Sequence, residues 1–117
     1  TGILNFGSAK SIIKNNKITN AVNHGIDIRH GTGPNVTVFN NTVIGSKEGI
    51  YLMHSGGHTV YNNTLINCTI SSITCYGSSN IYIYNNTMFE SRMGVLLGSG
   101  FSNITIGENN YKLANLP

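Results

Sequence analysis

Apolar residues recur along this chain in short alternating runs, not at helical spacing. In one set of runs the inward candidates fall two apart: Ile3 and Asn5, Ile26 and Ile28, Ile50 and Leu52, Ile73 and Cys75, Val95 and Leu97. A second set gives Ser11 and Ile13, Val36 and Val38, His58 and Val60, Ile81 and Ile83, Ile104 and Ile106. A third contributes one residue each time: Ile18, Val43, Leu65, Met88 and Tyr111. Alternation with period two over a few residues marks half-buried strands. Each repeat of the pattern therefore predicts three short strands with these positions turned inward.

Two independent markers measure the repeat. The second Asn of each NN-like pair (Asn16, Asn41, Asn63, Asn86, Asn109) recurs at intervals of 25, 22, 23 and 23 residues. The small residue before each apolar triplet (Gly2, Gly25, Gly49, Ser72, Gly94) recurs at 23, 24, 23 and 22. Three strands and three bends per period make one triangular coil, and stacking coils at ~4.8 Å pairs each strand in parallel with its counterparts. The predicted fold is all-β: a right-handed parallel β-helix of five rungs of about 23 residues, a single module over residues 1–117. The Asn column is expected at a bend, because Asn tolerates left-handed backbone and stacked amides can hydrogen-bond into a ladder.

Composition narrows the partners. Charged residues make up 9% of the chain against 39% hydrophobic, so Asn and Gly must carry solubility. The net charge of +3 mildly favours an acidic partner, and without an Arg/Lys cluster nucleic acid is not expected. No apolar run approaches the ~18 residues of a membrane span. Cys75 falls in the inward column of Ile28, Leu52 and Leu97, and Cys68 in a slot shared with Ala21, Ser46 and Ser91, so neither reads as a nucleophile. The first rung begins at once with Gly2 and Ile3, and the last ends at Pro117 without a capping helix. The chain is thus expected to be a fragment of a longer protein, its ends covered by adjoining domains or by a homo-oligomer such as a trimer.

The repeats GIDIRHGTGPNVTVFNNTV, GIYLMHSGGHTVYNNTL and SITCYGSSNIYIYNNTM resemble the parallel β-helix repeats of pectate lyases, alginate epimerases and related surface proteins. Their Asn-rich, NNT-laden style also resembles archaeal disaggregatases, a family that depolymerises a uronate-containing matrix polysaccharide. The resemblance covers nearly the whole chain and implies an extracellular or cell-surface module that binds and depolymerises an acidic polysaccharide. The calcium-binding acidic clusters of pectate lyases are missing, and so is the epimerase motif with Asp two residues before Pro-His, since Ile28, Arg29 and His30 follow Asp27.

Candidate chemistry gathers on one flank. The outward columns of the first strand run Leu4, Asp27, Tyr51, Thr74, Leu96 and Phe6, Arg29, Met53, Tyr76, Gly98, with His30 and His54 just beyond and His24 and Glu48 just before. Of four acids and four histidines in the chain, two acids and three histidines fall here. His30, His54 and Asp27 are the expected catalytic groups. Arg29, Tyr51, Tyr76, His24 and Glu48 are the expected substrate contacts, with Arg29 neutralising a uronate carboxylate. Asp27 and Glu48, backbones roughly 11 Å apart, would serve hydrolysis; a His or Tyr base beside a cation would serve proton abstraction. Both remain open at this point. A metal held by His30, His54 and Asp27 lacks a fourth ligand, so no metal or cofactor is expected. The alternative is a structural or adhesive β-helix of a cell-surface or phage tail-spike protein, without catalysis. Phe39, Tyr61 and Tyr84, with Tyr82 beside them, read as rung-to-rung stacking. Of six sequons, at Asn35, Asn40, Asn62, Asn67, Asn85 and Asn103, those at Asn40, Asn62 and Asn85 arise from the NNT repeat itself.

Overall fold

A computed structural model of the chain describes residues 1–29 and 34–112. It winds as five turns of three strands each. The first turn holds β1 (Ile3–Phe6), β2 (Ile12–Lys14) and β3 (Lys17–Thr19), the second β4 (His24–Arg29), β5 (Thr37–Phe39) and β6 (Thr42–Ile44). The third holds β7 (Glu48–Met53), β8 (Thr59–Tyr61) and β9 (Thr64–Ile66). The fourth holds β10 (Ser71–Tyr76), β11 (Ser79–Tyr84) and β12 (Thr87–Phe89), the fifth β13 (Val95–Leu97), β14 (Ser102–Ile106) and β15 (Asn110–Lys112). Strands at equal positions in the turns form three five-stranded sheets: β1-β4-β7-β10-β13, β2-β5-β8-β11-β14 and β3-β6-β9-β12-β15. Every pairing among these strands is parallel, which is the expected β-helix.

The register stacks like on like. Ile3, Ile26, Ile50, Ile73 and Val95 lie in one column, and Asn5, Ile28, Leu52, Cys75 and Leu97 in the next. Ile13, Val38, Val60, Ile83 and Ile106 form the second sheet's column, and Ile18, Val43, Leu65, Met88 and Tyr111 the third's. The inward positions of the three middle turns are sealed: Ile26, Ile28, Ile50, Leu52, Leu65, Ile73, Ile83 and Met88 have no exposed surface. Cys68 and Cys75 are free, buried thiols in this core, and burial pushes Cys75 up to about 12. The glycine marker has a steric cause. A Cβ on Gly25 would stand 2.4 Å from Val43 Cγ1 and 2.7 Å from the Gly49 carbonyl, so the first and third sheets meet there too closely for a side chain.

The Asn ladder forms as expected. Asn16, Asn41, Asn63 and Asn86 each donate Nδ2–H to the side-chain oxygen of the next Asn in the column, at 2.9, 3.0, 3.0 and 3.1 Å. The same oxygens accept the backbone N–H of the residue below, at 2.9–3.1 Å. Asn41, Asn63 and Asn86 also donate across the bend to strand carbonyls, so these buried amides are fully used. One detail is corrected. The left-handed backbone belongs to the residue before the ladder, Asn15, Asn40, Asn62 and Asn85, with φ between 53° and 60°. The first Asn turns the chain and the second ties the rungs.

Candidate functional site

β4 carries a buried carboxylate on the face that alternation assigns to solvent. Asp27 points away from the core but has no exposed surface, because three longer side chains fold over it. Arg29, two residues on and on the same face, grips it with a fork: Nε lies 3.0 Å from Oδ1 and Nη2 2.5 Å from Oδ2. His24, at the start of the strand, places Nδ1 2.9 Å from Oδ2. A carboxylate oxygen only accepts, so Nδ1 carries the ring hydrogen and Nε2 is the nitrogen left for exchange.

The next turn completes the cluster through register. Glu48 pairs with His24 and Tyr51 with Asp27. Glu48 Oε1 therefore stands 3.3 Å from His24 Nε2, and the Tyr51 ring stacks on the imidazole at 4.1 Å with planes 4° apart. Asp27 and Glu48 do not face each other; the His24 ring is interposed between them. His24 and Glu48 keep 16% and 13% of their side-chain surface and Arg29 keeps 32%, so the cluster is shielded but reachable.

Electrostatics follow from this packing. The hydrogen bonds from Arg29 to Asp27 hold the guanidinium above its ordinary value. Burial, followed by the charge of Glu48, raises Tyr51, which keeps it a phenol and a hydrogen-bond donor instead of a phenolate base. Two turns further on the same two registers hold a neutral pair, Ser71 and Thr74, whose hydroxyls hydrogen-bond each other. The coil can thus fill this position without charge.

Of the remaining expected site residues, His54 and Tyr76 contact each other. His54, in left-handed backbone just past β7, meets Tyr76 edge-on at 5.5 Å. A Cβ on Gly77 would fall 2.3 Å from His54 Nδ1, so glycine there makes room for the imidazole to lie across the following turn. His30 lies outside the described residues. Among the described residues no group of three His, Cys, Asp or Glu side chains converges as metal ligands. Two concavities, of about 430 and 330 Å³, are lined by Ile3, Asn5, Ser8 and Ile13 and by Asn85, Glu108, Asn109 and Asn110. Neither includes the charged cluster.

Residue order alone does not show that His24, Asp27 and Arg29 join in one hydrogen-bonded cluster. The signal was present as His and Asp three apart with Arg two beyond, on a strand whose neighbour supplies Glu at the matching register. The aromatic stripe stacks as expected: Phe39 on Tyr61 at 5.0 Å and Tyr61 on Tyr84 at 5.1 Å, with planes within 6°. These rings cover each other's faces and present mainly their edges.

A family model described as right handed beta helix region matches residues 1–111 of the chain. No curated protein and no solved structure matches it.

Proposed function

The chain belongs to the right-handed β-helix family, and from that premise we propose that its first-sheet flank binds an acidic, uronate-containing polysaccharide and depolymerises it by proton abstraction at His24. The observation that carries the reading is the fully buried Asp27 carboxylate held by His24 and Arg29. Burying a charge is costly unless it is paired. The fold does not require one here, since the same column holds Leu4, Tyr51, Thr74 and Leu96 in the other turns. A buried carboxylate that fixes one imidazole nitrogen while the other faces a second carboxylate, Glu48, at 3.3 Å is an arrangement for moving a proton.

The residues divide the work as follows. His24 Nε2 takes the proton next to the uronate carboxylate. The glycosidic C–O bond on the neighbouring carbon breaks, a carbon–carbon double bond forms, and the leaving oxygen takes up a proton. Glu48, 3.3 Å from Nε2, relays the proton taken from the sugar. Arg29, whose side chain keeps 32% of its surface, is the cation for the substrate carboxylate. Tyr51 donates a hydrogen bond to the sugar, and Tyr76 with His54 extends the contact surface over the next turn. Elimination is preferred to hydrolysis because Asp27 is buried and committed to two partners, which leaves Glu48 without a second working carboxyl group. An open flank along stacked strands suits an extended polymer better than a small molecule, and the net charge of +3 favours an acidic one. This use places the module outside the cell or on its surface.

The adhesive reading draws on the second flank, where the aromatic stack reinforces the coil without offering ring faces. Incubating the chain with polyuronates and following ultraviolet absorbance of unsaturated uronate together with new reducing ends separates the two. Activity that falls at least ~100-fold in His24→Ala, with weakened binding in Arg29→Ala, supports the enzyme. Binding without product leaves the adhesive reading, and His24→Ala at full turnover removes His24 as the base.

A further inference from the structure

We infer that Asn67 is an acceptor site for an N-linked glycan. The six sequons of the chain fall on Asn35, Asn40, Asn62, Asn67, Asn85 and Asn103, and each of these residues is exposed and in left-handed backbone, φ 51–67°, five of them between strands and Asn103 within β14. None falls on a ladder Asn, whose Nδ2 is committed to the column. The modification needs a free side-chain amide on the surface, and the fold separates the two kinds of Asn by one residue.

Three of the six have a folding explanation. In Asn40-Asn41-Thr42, Asn62-Asn63-Thr64 and Asn85-Asn86-Thr87, the first residue makes the bend, the second the ladder, and the Thr opens the outward column of the third sheet. A sequon results whether or not anything reads it. These bends also hydrogen-bond directly to one another, Asn40 N–H to the Asn62 carbonyl and Asn62 N–H to the Asn85 carbonyl, one rung apart. At ~4.8 Å neighbouring glycans collide, so adjacent sites cannot both be filled. Asn103 already donates Nδ2–H to Asn80 at 2.6 Å.

Asn67-Cys68-Thr69 has neither explanation nor obstacle. The fold fixes a left-handed residue at 67, as it does at Asn20, Gly45 and Glu90, and a small buried residue at 68, as at Ser46 and Ser91. It does not fix Thr69: Val22, Lys47 and Arg92 hold the equivalent exposed place. Asn67 is exposed, its side-chain amide has no partner among the described residues, and its column neighbours Gly45 and Glu90 carry no sequon. In the step, Asn67 Nδ2 attacks the anomeric carbon of a lipid-pyrophosphate-linked oligosaccharide. The new C–N bond replaces the C–O bond to pyrophosphate, the lipid pyrophosphate leaves, and the amide proton passes to a base of the transferase. The acceptor must therefore be exported to the compartment where that donor is held.

The test is glycopeptide mass spectrometry on the protein purified from the cells that make it. The peptide containing Asn67 is expected to carry a saccharide mass increment. Thr69→Val, an exposed substitution, is expected to lose it and Thr69→Ser to keep it. A peptide containing Asn67 found only unmodified overturns the inference, as does retention of the increment in Thr69→Val. Neither outcome depends on polysaccharide cleavage, so this inference and the enzymatic reading fail separately.

Discussion

Replacing Asn63 by Ala tests the division of labour within each Asn pair. Five hydrogen bonds meet at the Asn63 side chain. Its Nδ2 donates to Val38 O, Tyr61 O and Asn86 Oδ1, and its Oδ1 accepts from Asn41 N and Asn41 Nδ2, all at 3.0–3.1 Å. The site is 1% exposed, so water does not replace the lost partners. The Asn41 N–H is left without its acceptor, at about 1 to 3 kcal/mol for a buried unsatisfied group, and each remaining bond adds about 0.5 to 1.5 kcal/mol less the relaxation of its neighbours. Asn41 Nδ2 keeps Ile13 O and Phe39 O, and Asn86 Oδ1 keeps the Asn63 N–H, so the losses do not sum fully. The expected loss for Asn63→Ala is roughly 3 to 5 kcal/mol. Asn62→Ala, exposed and with φ 54°, gives up only tolerance of left-handed backbone, about 1 to 2 kcal/mol. Asn62→Gly should cost less still. Urea unfolding of the three variants measures the ranking. An Asn63→Ala within 1 kcal/mol of wild type, or an Asn62→Ala as damaging as Asn63→Ala, would refute the assignment.

Other outcomes follow from the same coordinates. Leu52→Ala, in the sealed inward column, should cost roughly 2 to 5 kcal/mol and Tyr82→Ala, 53% exposed, much less, as thermal melts will show. Gly25→Ala should destabilise by about 1 to 3 kcal/mol through overpacking, and Val43→Ala should relieve only part of it because the Gly49 carbonyl also blocks the new Cβ. Burial holds His58 down to about 4, below the 6.5 of the unfolded chain, so between those values the unfolded state binds a proton that the folded state refuses. Stability should fall as pH drops through that window, by roughly 3 kcal/mol at its lower end. His58→Leu should remove that slope relative to wild type in denaturant titrations at pH 7, 5.5 and 4.

Strand number, register and the inward columns were legible because they rest on period two and a repeat of about 23 residues, both present in the residue order. The ladder was legible for the same reason. What alternation could not reveal was the state of Asp27. It assigns a face, not whether longer neighbours close over a short side chain, and here His24, Arg29 and Tyr51 do so from both ends of β4 and from β7. Alternation therefore puts Asp27 on a solvent-facing column, whereas packing buries it completely. The left-handed bend was assigned to the wrong Asn of the pair because the two are adjacent and chemically identical. Only φ separates them.

The unequal spacing of the Asn markers has a consequence for how such a chain changes over generations. The bend between second and third sheets holds two residues in each of the first four turns, whereas the bend between first and second sheets holds 5, 7, 5, 2 and 4. Length differences among the turns of this chain thus fall at one corner of the triangle and not at another, where the ladder fixes the count. Lineages can lengthen or shorten the first corner without shifting a single strand, and that corner adjoins the end of β4 and β7, beside the charged flank. New loop chemistry can be tried there while the coil that supports it stays unaltered.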